Sequence, residues 1–199
     1  ISSTSIAFGA IVVGQTAQQT IVISNQGSST LTVSGMTGPS GFSATWTAGA
    51  IPAGGQQQVT FGFAPTAAGI YSGNITVNAD QTSGGTTIAV SGAAHPAMFG
   101  AWSGTQTTVS TLGTASQAMS WSVQNQVGGQ FNGGWATGSQ AGTMSGSVAT
   151  DGTVSGLTFS AIVGGLNCAR VSGDGVFRGV YNLGSGVLSV QTTETIACP

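Results

Sequence analysis

Charge is what this sequence lacks most. Among its 199 residues only Asp80, Asp151, Arg170, Asp174, Arg178 and Glu194 carry a full charge, and lysine is absent. Charged residues make up 3% of the chain, against about a quarter in an ordinary soluble domain. Charge keeps folded proteins apart in solution and supplies most acid, base and ion-binding chemistry. Its absence removes most routes to catalysis, together with the usual defence against association. Nucleic-acid binding needs several Lys or Arg to neutralise phosphates, so two arginines and a net charge of −2 imply no nucleic-acid partner. The same count excludes a cationic membrane-surface mode.

Other absences narrow the reading further. No apolar run approaches the roughly 20 residues of a spanning helix, so no membrane span is expected. An outer-membrane barrel is disfavoured, because only the second half offers such strands and they are short. No window shows a convincing helical period. Histidine occurs once, at His95. The two cysteines, Cys168 and Cys198, have no third thiol or nearby histidine to suggest a metal. The scattered aspartates do not supply the clustered carboxylates of a calcium site. No cofactor is expected. A Cys168–Cys198 disulfide is expected, closing a loop at a gain of roughly 3–4 kcal/mol; the alternative is two unrelated buried thiols.

What is present is the composition of short strands and tight turns. Hydrophobic residues make up 40% of the chain, and 34 glycines punctuate it. In the first half, strand-like runs fall near 4–8, 18–25, 30–37, 42–47, 56–63, 70–78 and 86–91. Val59, Phe61 and Phe63 share one face against Gln58, Thr60 and Gly62. Tyr71, Ile75 and Val77 do the same against Ser72, Asn74 and Thr76. A period of two with one apolar face marks a half-buried antiparallel strand. Asn25-Gln26-Gly27 and Pro52-Ala53-Gly54-Gly55 supply turns, and Pro65 ends the run before it. Seven short strands over residues 1–94 predict an immunoglobulin-like β-sandwich.

Several phrases of this half resemble a known family. They include Phe8-Gly9, Val13-Gly14, Ile23-Ser24-Asn25-Gln26-Gly27, Leu31, Phe42 and Ile51-Pro52-Ala53-Gly54. They continue through Val59-Thr60-Phe61, Phe63-Ala64-Pro65, Gly69, Tyr71-Ser72-Gly73 and Ser91-Gly92. In order and spacing they are similar to the Hydin-type, choice-of-anchor D repeat, a relative of the PapD-like sandwiches. The resemblance covers residues 1–93. It implies a seven-stranded sandwich, an extracellular or surface setting in bacteria, and a scaffold or interaction module without catalytic residues.

Residues 95–199 read as a second all-β unit. Bulky residues recur around glycines in Met98-Phe99-Gly100-Ala101-Trp102, Gln130-Phe131-Asn132-Gly133-Gly134-Trp135, Met144-Ser145-Gly146 and Phe177-Arg178-Gly179-Val180-Tyr181. Asp151-Gly152 is expected to form a tight hairpin turn with positive φ at both positions, and Asp174-Gly175 another turn. About eight strands, near 98–108, 117–126, 129–136, 142–149, 153–163, 167–172, 175–182 and 186–196, predict an antiparallel β-barrel or sandwich. Gly100-Ala101-Trp102-Ser103-Gly104 is faintly similar to the Gly-x-Trp start of calycin barrels, a hint about shape only.

The candidate sites are few. Asp151 and Asp174 read as turn residues bonding their local backbone. Arg170, Arg178 and Glu194 are suited to a structural ion pair. His95 beside Pro96 reads as a linker residue, and no serine sits in a nucleophile elbow, so no catalytic residue is expected. Trp121, between Met119 and Val123, reads as core. Trp102 and Trp135 are candidates for stacking on a glycan or small ligand, with core packing the competing role. Asn74-Ile75-Thr76 matches the N-glycosylation pattern. The leading expectation is a non-catalytic, secreted or cell-surface structural protein that forms homo-oligomers or polymers. It would be a self-assembling subunit of a filament such as a fibre, pilus or sheath. Its N-terminal segment, with Ile1, Ile6 and Phe8, would be the strand that reaches a neighbour. The alternative is an extracellular module whose barrel binds a glycan or small ligand.

Overall fold

The computed structural model describes residues 2–81, 84–110, 113–138, 141–161, 169–172, 177–183, 185–191 and 195–197. Among the described residues the regular elements are all strands, seventeen of them. They divide into two compact units, Ile1–His95 and Pro96–Pro199.

The first unit carries β1 (Ser5–Val12), β2 (Ala17–Ser24), β3 (Leu31–Thr37), β4 (Phe42–Ala44), β5 (Gly49–Ile51), β6 (Gln56–Phe63), β7 (Gly69–Ala79) and β8 (Thr87–His95). They form a five-stranded sheet of order β1-β8-β7-β3-β5 and a three-stranded sheet of order β2-β6-β4. The period-two patterns dictate the packing. Ile6, Phe8, Val33, Ile51, Ile75, Val77, Ile88 and Val90 of one sheet meet Ile21, Ile23, Val59, Phe61 and Phe63 of the other in one buried core. The seven-stranded expectation missed β5, a three-residue edge strand too short for alternation to show. The period-two runs read as antiparallel strands, whereas β1, whose direction no pattern specified, runs parallel to β8.

Aromatic packing organises one end of this core. Phe63 is fully buried, and its ring centroid lies 5.7 Å from Phe8, 4.9 Å from Phe42 and 5.3 Å from Tyr71. A Cβ on Gly92 would stand 2.5 Å from the Phe63 ring, so only glycine lets β8 pass beneath it. Asn25 fixes the turn after β2. Its Nδ2 donates to Ser29 O, Ile51 O and Pro52 O at 2.7, 2.9 and 3.1 Å, and its Oδ1 accepts from Gly27 N at 3.0 Å. A buried amide so satisfied stabilises the turn, whereas its loss would orphan buried carbonyls.

The second unit carries β9 (Gly100–Ser110), β10 (Gly113–Val127), β11 (Gln130–Thr137), β12 (Ala141–Val148), β13 (Thr153–Ala161), β14 (Ala169–Ser172), β15 (Phe177–Asn182), β16 (Val187–Gln191) and β17 (Thr195–Ala197). Seven of them form an antiparallel sheet of order β16-β15-β13-β12-β11-β10-β9, and β14 pairs with β17 in a separate ribbon. The sheet rolls up. Trp102 of its terminal strand lies edge-on to Tyr181 of β15, with centroids 5.5 Å apart. No strand pairing joins β9 to β16 among the described residues, so the sheet curls towards a barrel whose rim is not closed by a ladder there.

The interior of the roll is packed. Met98, Val123, Phe131, Trp135, Met144, Val148, Val154 and Leu157 are buried in one cluster, with Trp102, Met119, Trp121, Tyr181 and Leu188 against it. Trp102, Trp121 and Trp135 stand directly opposite one another across β9, β10 and β11. Gln126 holds the start of the unit: its Oε1 accepts from Met98 N at 2.8 Å, and its Nε2 donates to Pro96 O and Gly128 O at 2.8 and 3.0 Å.

The Asp151-Gly152 turn lies where expected but has a different geometry. Gly152 N donates to Ala149 O at 3.1 Å and Ala149 N to Thr153 O at 2.8 Å. Gly152 has φ +88°, and among the described residues no non-glycine residue has a positive φ. The loop therefore has three residues, a type I turn closed by a glycine bulge, which asks positive φ of Gly152 alone.

Candidate interaction surface

The charged residues that the structure describes serve the backbone next to them. Asp80 Oδ1 accepts from Thr32 N at 2.8 Å. Asp151 Oδ1 accepts from Thr153 N at 2.8 Å, and hydrogen bonds from Thr153 hold its carboxyl below the ordinary aspartate range. His95 is the last residue of β8, paired with Val12, and its carbonyl accepts from Val13 N at 3.0 Å. It is thus a strand residue and not the linker expected. No group of three His, Cys, Asp or Glu able to hold a metal occurs among the described residues, and among them no helix is long and apolar enough to cross a membrane. Asp174, Glu194, Cys168 and Cys198 lie outside the described residues, as do the side chains of Arg170 and Arg178.

The tryptophans are packing residues. Trp135 is 8% exposed, and Trp102 donates from Nε1 to Met98 O at 3.0 Å while its ring meets Tyr181. Trp135 is part of the buried cluster of the second unit and Trp102 packs against it, which is the core role that competes with stacking on a ligand. The N-terminal segment is likewise placed within its own fold. Ile6 and Phe8 are buried in the sandwich core, and β1 is hydrogen-bonded along β8; Ile1 lies outside the described residues. The hydrophobic side chains read as reaching a neighbour are thus engaged inside their own sheet, because alternation turns them inwards.

What remains is surface, and it is covered largely by uncharged side chains. On the outer face of the five-stranded sheet, Ser5, Ala7, Ser72, Asn74, Ala89 and Ser91 stand side by side and exposed. Hydroxyl pairs bridge neighbouring strands elsewhere: Thr20 with Thr60 at 2.9 Å, Ser145 with Thr158 at 3.0 Å and Ser147 with Ser155 at 2.9 Å. One end of the rolled sheet, which also carries the Asp151 turn, exposes large apolar side chains. Phe99 before β9, Val127 ending β10, and Leu183 and Val187 around the β15–β16 turn are 45, 73, 51 and 55% exposed. All four lie at the same end of the meander. A large apolar residue beside a Gly-rich turn, as in Val127-Gly128-Gly129, is the sequence sign of such a site.

Residues 1–93 match the family model of the HYDIN/CFA65/VesB-like, Ig-like domain. The first unit is therefore a Hydin-type, immunoglobulin-like sandwich, and such a domain fits a structural or protein-interaction module. Among solved structures the chain is similar to the ASH/PapD-like domain of human CEP192 (PapD-like domain 7), with 16% identity and a TM-score of 0.39 over 48% of this chain and 83% of that one. No curated protein matches the chain.

Proposed function

We propose that this protein is a non-catalytic, secreted or cell-surface structural protein of a bacterium that acts as a self-assembling subunit of an extracellular filament. The observation that carries this reading is the sparsely charged, strand-built surface with four exposed large apolar side chains at one end of the second unit. Clustered exposed apolar residues mark interaction sites. A surface with few charges brings little repulsion and little ionic desolvation to the contact. The packed interior of the second unit counts against a barrel that holds a ligand. Light scattering on the full chain over rising concentration is expected to show growing mass, and a monomer throughout would overturn the proposal.

An oxidising compartment goes with this reading. Ala169 and Ala197 are cross-strand partners, and Cys168 and Cys198 are their neighbours in sequence. We expect non-reducing peptide mapping to recover Cys168 and Cys198 in one linked fragment. The chain-entropy model gives the closed loop roughly 3–4 kcal/mol of stabilisation, so reduction should lower the melting temperature of the second unit by several degrees. Two free thiols in secreted material would contradict the assignment.

A further inference from the structure

We propose that copies of this chain join through the outer edge of β9, by strand-to-strand pairing of the segment Thr105–Ser110 with the same segment of a second copy. This names the contact for the self-assembly proposed above and rests on that reading.

The register isolates the segment. β10 pairs with β11 only from Met119, opposite Thr137, to its C-terminal end. Its pairing with β9 runs on past that point, through Ala118↔Thr105, Gln117↔Gln106, Ser116↔Thr107, Ala115↔Thr108, Thr114↔Val109 and Gly113↔Ser110. These six pairs extend the sheet as a two-stranded ribbon roughly 20 Å long. A lone two-stranded hairpin is marginal in water, so the ribbon gains by acquiring a third strand. β9 is the last strand of its sheet, and no strand pairs with its outer edge among the described residues.

Folded proteins blunt such edges with short strands, bulges, prolines, lysines or covering segments. The other sheet ends here are protected in these ways. β4 and β5 have three residues each and β16 has five. β1 is broken by a register shift between Ala7 and Ala10, where Gly9 has φ +73°. β2 is covered at Val22, whose N–H donates to Ser2 Oγ and whose carbonyl accepts from Ser2 N. β9 is eleven residues long, its pairing with β10 has no register shift, and residues 97–150 contain neither a charged residue nor a proline.

The same property selects the occupant. Thr105-Gln106-Thr107-Thr108-Val109-Ser110 offers β-favouring, uncharged residues to whatever lies opposite. A charged partner strand would find no counter-charge, whereas an antiparallel copy over the same six residues sets Thr105 opposite Ser110, Gln106 opposite Val109 and Thr107 opposite Thr108, with no charge to repel. Such a self-complementary contact closes about a two-fold axis. It makes the dimer the elementary unit, and a longer assembly then needs a second surface.

The test uses the full chain carrying Thr105→Lys with Thr107→Lys, the edge charges that natural sheets employ. A second variant replaces residues 106–117 by Asn-Gly and so removes the ribbon. Sedimentation velocity is expected to show the wild type as dimers or larger species. Both variants are expected to keep the wild-type circular dichroism spectrum and to weaken dimerisation at least tenfold. If the lysine variant does not fold, the shortened hairpin decides. Wild-type association that persists undiminished in a folded variant overturns the β9 contact and leaves the filament reading standing. A wild type that stays monomeric at high concentration overturns both.

Discussion

Gly133→Ala is expected to unfold the second unit. Gly133 lies in β11 between Val123 of β10 and Met144 of β12. A Cβ there would stand 1.8 Å from the carbonyl oxygen of Ser122, far inside van der Waals contact. The obstacle is backbone, so no side chain can turn aside, and relief requires β10 and β11 to separate. That movement would disturb the row of Trp102, Trp121 and Trp135 and the interior around it. Overpacking a core costs about 1–3 kcal/mol where side chains can adjust, and more where they cannot. A loss of at least about 3 kcal/mol is therefore expected, a large share of the stability of a domain this size. Three of the four tryptophans lie in this unit, so tryptophan fluorescence reports mainly on it. In urea the variant should lose most of the wild-type fluorescence transition. A variant that melts like the wild type would mean that β10 and β11 are not packed in this register.

Phe63→Ala is expected to cost the sandwich roughly 3–5 kcal/mol, the range for removing a buried phenyl ring. Phe63 touches three other aromatic rings and is fully buried, so the hole left behind has little means of collapsing. The reciprocal change is Gly92→Ala, whose methyl group would push into the same ring. It should cost about 1–3 kcal/mol in the wild type. On the Phe63→Ala background the methyl group enters the space the ring has vacated, so its cost should largely disappear. Denaturant unfolding of the four proteins gives the coupling. We expect the double variant to be at least about 1 kcal/mol more stable than the two single losses predict. Strict additivity would show that the ring does not lie over the glycine.

The sandwich was legible because its strands obey a period of two. Val59, Phe61 and Phe63 could point only one way once Gln58 and Thr60 pointed the other. The three-residue β5 escaped, since three residues carry no period. The parallel pairing of β1 with β8 escaped too, because side-chain alternation is blind to strand direction. In the second half glycine punctuation located most strands. Whether the sheet closes depends on curvature, which one sequence does not encode locally. Asp151-Gly152 shows the limit at the level of a turn: the dipeptide marks the hairpin, but loop length decides which residue takes positive φ.

The surface was harder to read than the core. The sequence directed attention to Ile6 and Phe8 as a reaching strand, since apolar residues near a terminus look available. Their alternation with Ser5, Ala7 and Gly9 instead turns them into the sandwich. The edge of β9 reads as an ordinary strand in sequence. It becomes distinctive only when the register shows that β11 stops short of it. Low charge was visible from the outset. What the fold adds is the contrast, among the described residues, between seven short or protected sheet edges and the one long edge of β9.

Electron microscopy of the negatively stained full-length chain, concentrated from a dilute solution, tests the central claim most directly. Self-assembly of a sparsely charged, strand-edged subunit predicts filaments or regular arrays with a repeat set by the two-unit chain, sparse at low concentration and dominant at high. A field of separate single-chain particles at every concentration would contradict it.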